Sequence, residues 1–396
     1  MKVSTGKRIL MLVENNPFRL DPRVRQEANA LTQAGYQVTA IGPADSKSKR
    51  REMIDGVWVY SYPPPPAGLG LIGYAWEYAY SLAAAFILSL GVWARRGFDI
   101  IHAANPPDTQ IFIAAFYKLF GIRFVFDHHD IAPEMYRERF GGRKNPLVYK
   151  TLVMLEGLSC RLADRIIATN ESYKRIEMQR HGVPPERITI VRNGPLLERF
   201  RPPAPDPVLQ SRAPVLLGFV GVMARQDGVD YLLRALYHLK HDLKRTDFYC
   251  VIIGKGSMLE DLRKLAKQLD LESHVWFTGF VPDEDMLRYL STMDICLDPD
   301  PSNPFNDRCT MIKMMEYMAM GKPIVAFDLP EHRVTAGEAA LYVCPNDELD
   351  FARKIECLMD DPERRRQMGQ LGRQRIEADL NWDQQSVQLI RAYETL

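Results

Sequence analysis

The chain has almost no excess of charge of either sign: its 396 residues hold 51 Lys and Arg against 50 Asp and Glu. Nucleic acid is gripped through a basic surplus, so this balance argues against a nucleic-acid partner. Its six cysteines, at 160, 250, 296, 309, 344 and 357, form no Cys-x-x-Cys pair, and Cys250 and Cys296 sit in apolar, strand-like runs. That usage fits reduced, buried thiols in a cytoplasmic protein better than disulfides or a zinc site. The eight histidines include no His-Glu-x-x-His pattern, and His238 and His241 share a helix face that reads as solvated. Ile9 to Val13 is too short for the apolar core of a secretory signal, no small-residue cleavage site follows it, and it reads as a first strand. Tyr78 to Ala94 lacks charges but falls short of the ~20 apolar residues of a spanning helix, and Glu77 and Arg95-Arg96 bound it. A buried or interfacial helix is expected there.

What is present is alternation. Strand-like runs at Arg8 to Val13, Gln37 to Ile41, Ile100 to Ala103, Arg123 to Asp127, Arg165 to Thr169 and Ile188 to Val191 are interleaved with helical ones at Arg23 to Ala34, Ile111 to Phe120 and Tyr149 to Leu162. Arg199 to Pro214 concentrates proline and breaks the periodicity, as a linker does. The alternation resumes with strands at Val215 to Val220, Phe248 to Ile253, His274 to Phe277, Ile295 to Leu297 and Ile324 to Phe327. The length suits two cores of roughly 150 to 200 residues. The pattern predicts an α/β chain with two doubly wound, Rossmann-like domains at 1–198 and 215–378, a linker at 199–214 and a terminal segment at 379–396.

Asp298 to Glu331 is the most informative stretch. Met311 to Met320 carries Met and Ala at helical spacing, Gly321 stands where a helix commonly ends, and Pro323 to Phe327 reads as a buried parallel strand. Within it, Glu316-Tyr-Met-Ala-Met-Gly-Lys-Pro-Ile-Val325 resembles the Glu-Ala-Met-Ala-x-Gly-x-Pro-Val-Val signature of the family-4 retaining glycosyltransferases. Gly218 to Val222, Asp227 to Leu236, Val251 to Ser257 and Val275 to Val281 are similar to that family's earlier strand-and-loop units, in order, so the resemblance extends over nearly the whole chain. It implies the GT-B fold, in which an acceptor-side domain and a nucleotide-sugar domain face a central cleft and the last helix, here 379–396, crosses back to the first domain.

A carboxylate at the C-terminal edge of such a sheet can accept both hydrogen bonds of a ribose diol, and the resemblance gives that part to Glu316. Eight positions earlier the family has another Glu, where this chain has Arg308. Arg308, Thr310 beside the helix-start amides and Lys313 one turn before Glu316 are therefore candidates to neutralise a diphosphate. Many relatives hold the leaving diphosphate with an Arg and a Lys after the first strand of the second domain. Those positions are Val222 and Asp227 here, which leaves Arg225 as the replacement candidate. Gly254 and Gly256 permit close backbone approach to a nucleotide, and Phe280 and Val281 fall where relatives hold the base by main-chain contacts. In the first half, Asp127-His-His-Asp130 sets ionisable residues at a strand end, and His129 and Asp130 match the family's catalytic His-Asp pair. Glu14-Asn-Asn-Pro17, with Asn16, and Asn105-Pro-Pro-Asp108 should line the same cleft. Plainer readings stand beside these: a solvated helical Glu, ordinary surface cations, a tight turn, and histidines that only cap a strand.

The resemblance thus implies a retaining glycosyltransferase that moves a hexose-type sugar from a nucleotide-diphosphate-sugar to an acceptor, expected to be a lipid-linked glycan in surface-polysaccharide assembly. Cations and helix amides would hold the leaving diphosphate while the acceptor attacks on the same face. Neither a metal nor a cofactor beyond the donor is expected. The apolar Gly68 to Trp93 and the basic Arg137 to Lys150 suggest peripheral contact with the inner face of the cytoplasmic membrane. Two rivals share the scaffold: a catalytically silent nucleotide-sugar-binding protein, and a nucleotide-sugar epimerase or phosphorylase.

Overall fold

Strands that are apolar on both faces are stable only in a sheet covered twice, and the chain builds two such sheets. The computed structural model describes residues 6–65, 70–139 and 145–396. It divides into two compact units, one of Met1–Asn193 with Gln384–Leu396, the other of Gly194–Asp383. Of the stretches singled out for membrane contact, residues 68, 69 and 140–144 lie outside the described residues.

The first unit holds β1 (Arg8–Leu12), β2 (Gln37–Pro43), β3 (Arg51–Ile54), β4 (Val57–Tyr62), β5 (Ile100–Ala104), β6 (Arg123–His128), β7 (Arg165–Ala168) and β8 (Ile188–Ile190). Their order is β3-β4-β2-β1-β5-β6-β7-β8, parallel throughout except that β3 runs antiparallel to β4. That pair is a hairpin unforeseen in the sequence, although Asp55-Gly56, both at positive φ, is the usual two-residue hairpin turn. The strand order reverses between β1 and β5, so the loops after them flank a topological switch point, where such sheets place ligands. Helices α1 (Pro22–Gln33), α2 (Gly70–Arg95), α3 (Ile111–Lys118), α4 (Ala132–Arg139), α5 (Pro146–Leu162) and α6 (Glu171–His181) connect the strands. Asp21 starts α1 by accepting the N–H of Val24 at 3.0 Å, and Pro22 holds its first position.

The second unit holds β9 (Val215–Val220), β10 (Phe248–Ile253), β11 (Val275–Gly279), β12 (Ile295–Asp298), β13 (Ile324–Phe327) and β14 (Ala340–Val343), all parallel, in the order β11-β10-β9-β12-β13-β14. Order reverses here between β9 and β12. Its helices are α7 (Pro207–Gln210), α8 (Val229–His241), α9 (Leu259–Gln268), α10 (Asp283–Thr292), α11 (Ile312–Ala319), α12 (Pro330–Ala336), α13 (Glu348–Met359) and α14 (Pro362–Arg375). Leu217, Phe219, Leu232, Leu236, Phe327 and Phe351 form a core on one face of the sheet, and Met314, Met315, Tyr317 and Met318 of α11 pack into a second cluster with Cys296, Ile324 and Ala326. The proline-rich stretch at 199–214 belongs to this unit: Phe200 is buried, and Asp206 caps α7 through the N–H groups of Val208 and Leu209. The last helix, α15 (Trp382–Glu394), lies from Gln384 onward in the first unit, where Tyr393 is fully buried.

Candidate active site

β6 ends at the C-terminal edge of the first sheet, one strand from the switch point, and delivers Asp127, His128, His129 and Asp130 in succession. Alternation sends neighbours to opposite faces. Asp127 and His129 meet on one of them, with Nδ1 of His129 lying 3.0 Å from Oδ2 of Asp127. Burial works against charging this imidazole, but the Asp127 carboxylate prevails and holds it above its ordinary range. Asp127 is itself gripped by Arg23 of α1, whose Nε and Nη2 donate to its two oxygens at 2.9 and 2.6 Å. The turn that follows is set by Asn105, just past β5. Its carbonyl oxygen accepts the N–H groups of His129 and Asp130 at 2.8 and 3.1 Å, and its amide donates to the Asp130 carbonyl at 2.6 Å. Burial raises the Asp130 carboxyl, against the lowering pull of His129 and His128. Asn16, on the bend after β1, is exposed at the same sheet edge.

His128 points the other way and is wholly internal. Its Nδ1 lies 2.9 Å from Glu177 and its Nε2 3.7 Å from Glu156, and Glu156 also pairs with Arg180 and His181. This network explains half of the histidine pair as architecture and leaves His129, with 16% of its side chain exposed, as the member that can meet a substrate.

In the second unit, α11 is pinned to the switch point by Tyr317, whose hydroxyl accepts the N–H of Val220 at the end of β9 at 2.8 Å. Glu316 is the preceding residue, half-buried, with 17% of its side chain exposed. Burial pushes its carboxyl up to about 7 against the pull of Arg199, whose Nη1 lies 3.6 Å away. Arg199 is in turn held by Asp283, with its Nε donating at 2.7 Å. Sequence reasoning missed Arg199, because it comes from a segment with no periodic signal.

Lys313 has a different employment from the one expected. Its ammonium is nearly buried, 3.2 Å from Asp298 at the end of β12 and 2.6 Å from Asp300, so it neutralises an internal Asp-Pro-Asp pair rather than facing the partners of Glu316. Asp298, Asp300 and His332 lie close enough together to hold a metal ion, but the Lys313 ammonium is the cation they surround. Thr310 is half-buried just before α11, and Arg308 donates to the Pro304 carbonyl within its own loop. Arg225 is exposed on the loop after β9.

Gly254 and Gly256 serve a close approach of backbone to backbone. A Cβ on Gly254, at φ 135°, would collide with the Gly221 carbonyl, and one on Gly256 with that of Met223. The loops after β9 and β10 are thereby locked together, with Met223 N–H donating to the Lys255 carbonyl at 3.0 Å. Phe280 is 73% exposed with the Lys255 ammonium 5.1 Å from its ring centre, while Val281 is half-buried against the core.

Comparison with known proteins accounts for this arrangement. Residues 20–194 match the model of a glycosyl transferase 4-like domain, and residues 214–361 that of the glycosyl transferases group 1. WcaL of Escherichia coli K12, a glycosyltransferase named for colanic acid biosynthesis, is 27% identical over 209 residues, covering 52% of this chain and 50% of its own. The chain spans about half the length of the curated relatives it matches, 44% and 64% for two from Methanocaldococcus jannaschii. Among solved structures, a sucrose-phosphate synthase from Thermosynechococcus elongatus superposes with a TM-score of 0.80 at 18% identity, covering 98% of each chain. Anabaena HepE, in complex with UDP and glucose, does so with a TM-score of 0.74 at 15% identity, covering 99% of this chain and 100% of its own. The fold is GT-B, with two Rossmann-like domains. With both domain models matched in order over the two sheets, the chain belongs to the glycosyltransferases of the GT4, group 1 type.

Proposed function

We propose that the protein is a retaining glycosyltransferase that moves a sugar from a nucleotide-diphosphate-sugar to a lipid-linked glycan at the inner face of the cytoplasmic membrane. The observation that carries this reading is the signature helix α11, fixed by Tyr317 at the switch point of the second sheet with the half-buried carboxylate of Glu316 beside it. A carboxylate so placed suits a ribose diol. The complex of HepE with UDP and glucose supports a nucleotide-sugar donor. In the first unit, His129 is the polarised group for the reaction centre, and Asn105 fixes the backbone that carries it. With Lys313 committed to Asp298 and Asp300, the diphosphate falls to Arg225, Arg308 and Lys255, on the loops after β9, β12 and β10, and to the backbone amides there.

The acceptor side of the proposal rests on the name of WcaL and on α2. This helix is longer than expected, and its segment Ala75–Arg95 is apolar and long enough to cross a membrane, with most of it outside the core. Ser81, Ala85, Ser89 and Val92 pack it against its own unit, while Trp76, Ala79, Ala83, Ile87 and Leu90 stay exposed. Phe112 on α3 and Leu119 and Phe120 just after it are also exposed, and α3 meets α2 through Phe86 and Phe116 at 5.1 Å. Such a helix lies along a leaflet rather than through it.

Titration calorimetry with a panel of nucleotide sugars, followed by mass spectrometry of products from a membrane extract, tests the reading. One donor should bind and be consumed with retention at the anomeric carbon, and His129→Ala should lower kcat far more than donor affinity. Binding without turnover on any acceptor would establish the silent protein instead, and isomerisation of free donor the epimerase.

A further inference from the structure

The His129 site is the end of a buried chain of contacts that begins near the C-terminus of the sequence. Tyr393 of α15 is fully buried, and its hydroxyl lies 2.6 Å from Nδ1 of His102 on β5. The other ring nitrogen of His102 is 3.2 Å from Oε2 of Glu27 on α1 and 3.8 Å from Oδ2 of Asp127 on β6. That same Oδ2 is the oxygen that meets Nδ1 of His129 at 3.0 Å. Arg23 closes the group, gripping Asp127 and approaching Glu27 at 3.1 Å. Tyr36 packs edge-on against Tyr393 at 5.6 Å, and Asp21 and Asp130 are the remaining charged neighbours of Arg23 and His129.

Counting charge shows why His102 belongs there. Asp127 and Glu27 bring two negative charges into a water-free interior and Arg23 returns one positive, so a second cation is needed for balance. Glu27, His102 and Asp127 are near enough to one another to hold a metal ion, but the guanidinium of Arg23 already sits among the carboxylates. The His102 ring supplies the missing charge: burial opposes it, Asp127 and Glu27 prevail, and its protonation is raised to about 9. Charged, the ring donates from Nδ1 to the Tyr393 hydroxyl, while Nε2 faces the carboxylates of Glu27 and Asp127 as an ion pair.

We infer that His102 and Tyr393 are positioning residues for His129: Tyr393 fixes the ring plane of His102, and His102, with Arg23, fixes the carboxylate of Asp127 that orients and polarises His129. This rests on the reading of His129 as the group at the reaction centre. Removing the His102 charge leaves Asp127 with one cation fewer, and the carboxylate then holds the His129 proton more tightly. Tyr393→Phe keeps the packing of the ring and removes only the acceptor, so its effect has the same direction and a smaller size.

The test is an NMR pH titration of the histidine-labelled full chain, with His129 assigned by loss of its signal in His129→Ala. His102→Gln should raise the His129 midpoint by roughly half a unit or more, and Tyr393→Phe by less. Both should lower kcat with donor KM unchanged. A His129 midpoint equal to wild type in both variants, at unchanged melting temperature, overturns the inference. If His102→Gln fails to fold, Tyr393→Phe decides alone. Should His129→Ala retain full turnover, the reaction-centre reading fails, while the midpoints still decide whether the chain from Tyr393 positions the ring.

Discussion

Glu316, the candidate for the ribose diol, is half-buried beside Arg199, and these surroundings set a pH dependence. Burial raises its carboxyl from 4.5 to about 7, while Arg199 pulls the other way. A ribose diol is held by an ionised acceptor, so nucleotide affinity should fall as pH drops through about 7. Glu316→Gln should weaken nucleotide binding by about 1–3 kcal/mol at alkaline pH and abolish that pH dependence. Stability moves oppositely. Because the folded state binds the proton more tightly than the unfolded one, nothing is lost below 4.5, stability declines as pH rises through that window, and the full loss is present above about 7. At alkaline pH the Gln variant should therefore be the more stable protein, by up to about 3 kcal/mol. Calorimetry and urea denaturation at about pH 6 and about pH 8 measure both. Nucleotide affinity that is flat with pH in wild type would remove Glu316 from the site. The helix that carries it was legible because its signature is local. Arg199 and Asp283, its electrostatic neighbours, were not, because contacts made through the fold leave no spacing to read.

At the scale of elements, the loops at the C-terminal edge of the second sheet are stapled together. Gly254 and Gly256 join the loops after β10 and β9, and Lys313 joins α11 to the end of β12. In sequence Lys313 reads as a phosphate candidate or an ordinary surface cation, and only the fold sets it beside Asp298 and Asp300. Lys313→Met would leave those buried carboxylates without their cation, a loss of about 3–5 kcal/mol in urea denaturation. Nucleoside diphosphate and monophosphate should lose affinity equally. Unchanged stability with a selective loss for the diphosphate would restore Lys313 to the phosphate site. Strand positions were largely readable, since buried parallel strands are near-continuous apolar runs. The β3–β4 hairpin and β14 were not foreseen: β3 is a short, exposed edge strand, and Ala340-Leu-Tyr-Val343 is too brief to stand out from the helices on either side.

On the scale of the whole molecule, two doubly wound units were legible from alternation, whereas the course of the chain between them was not. Prolines at 202, 203, 205 and 207 read as a linker, yet Phe200 is buried and its carbonyl accepts Arg373 at 3.0 Å, which ties this stretch to the second unit. For α2 the sequence left a buried and an interfacial helix both open, because an apolar helix looks the same whether it lies in a core or on a surface. The distinction is in the side chains: Ile87 on α2 is 67% exposed and Leu119, just after α3, 81% exposed, on two helices that meet through Phe86 and Phe116. Aliphatic and aromatic residues left in water in this way are stabilised by the interfacial zone of a bilayer at roughly 25 cal/mol per Å² buried. The protein should therefore float with liposomes, and the Ile87→Glu, Leu119→Glu double variant should stay in the soluble fraction with its melting temperature unchanged. Comparison of anionic with neutral liposomes at low salt separates the apolar contribution from attraction to Arg137 and its basic neighbours. Wild-type protein that fails to float, or a double variant that floats as well as wild type, would show that this face meets something other than lipid.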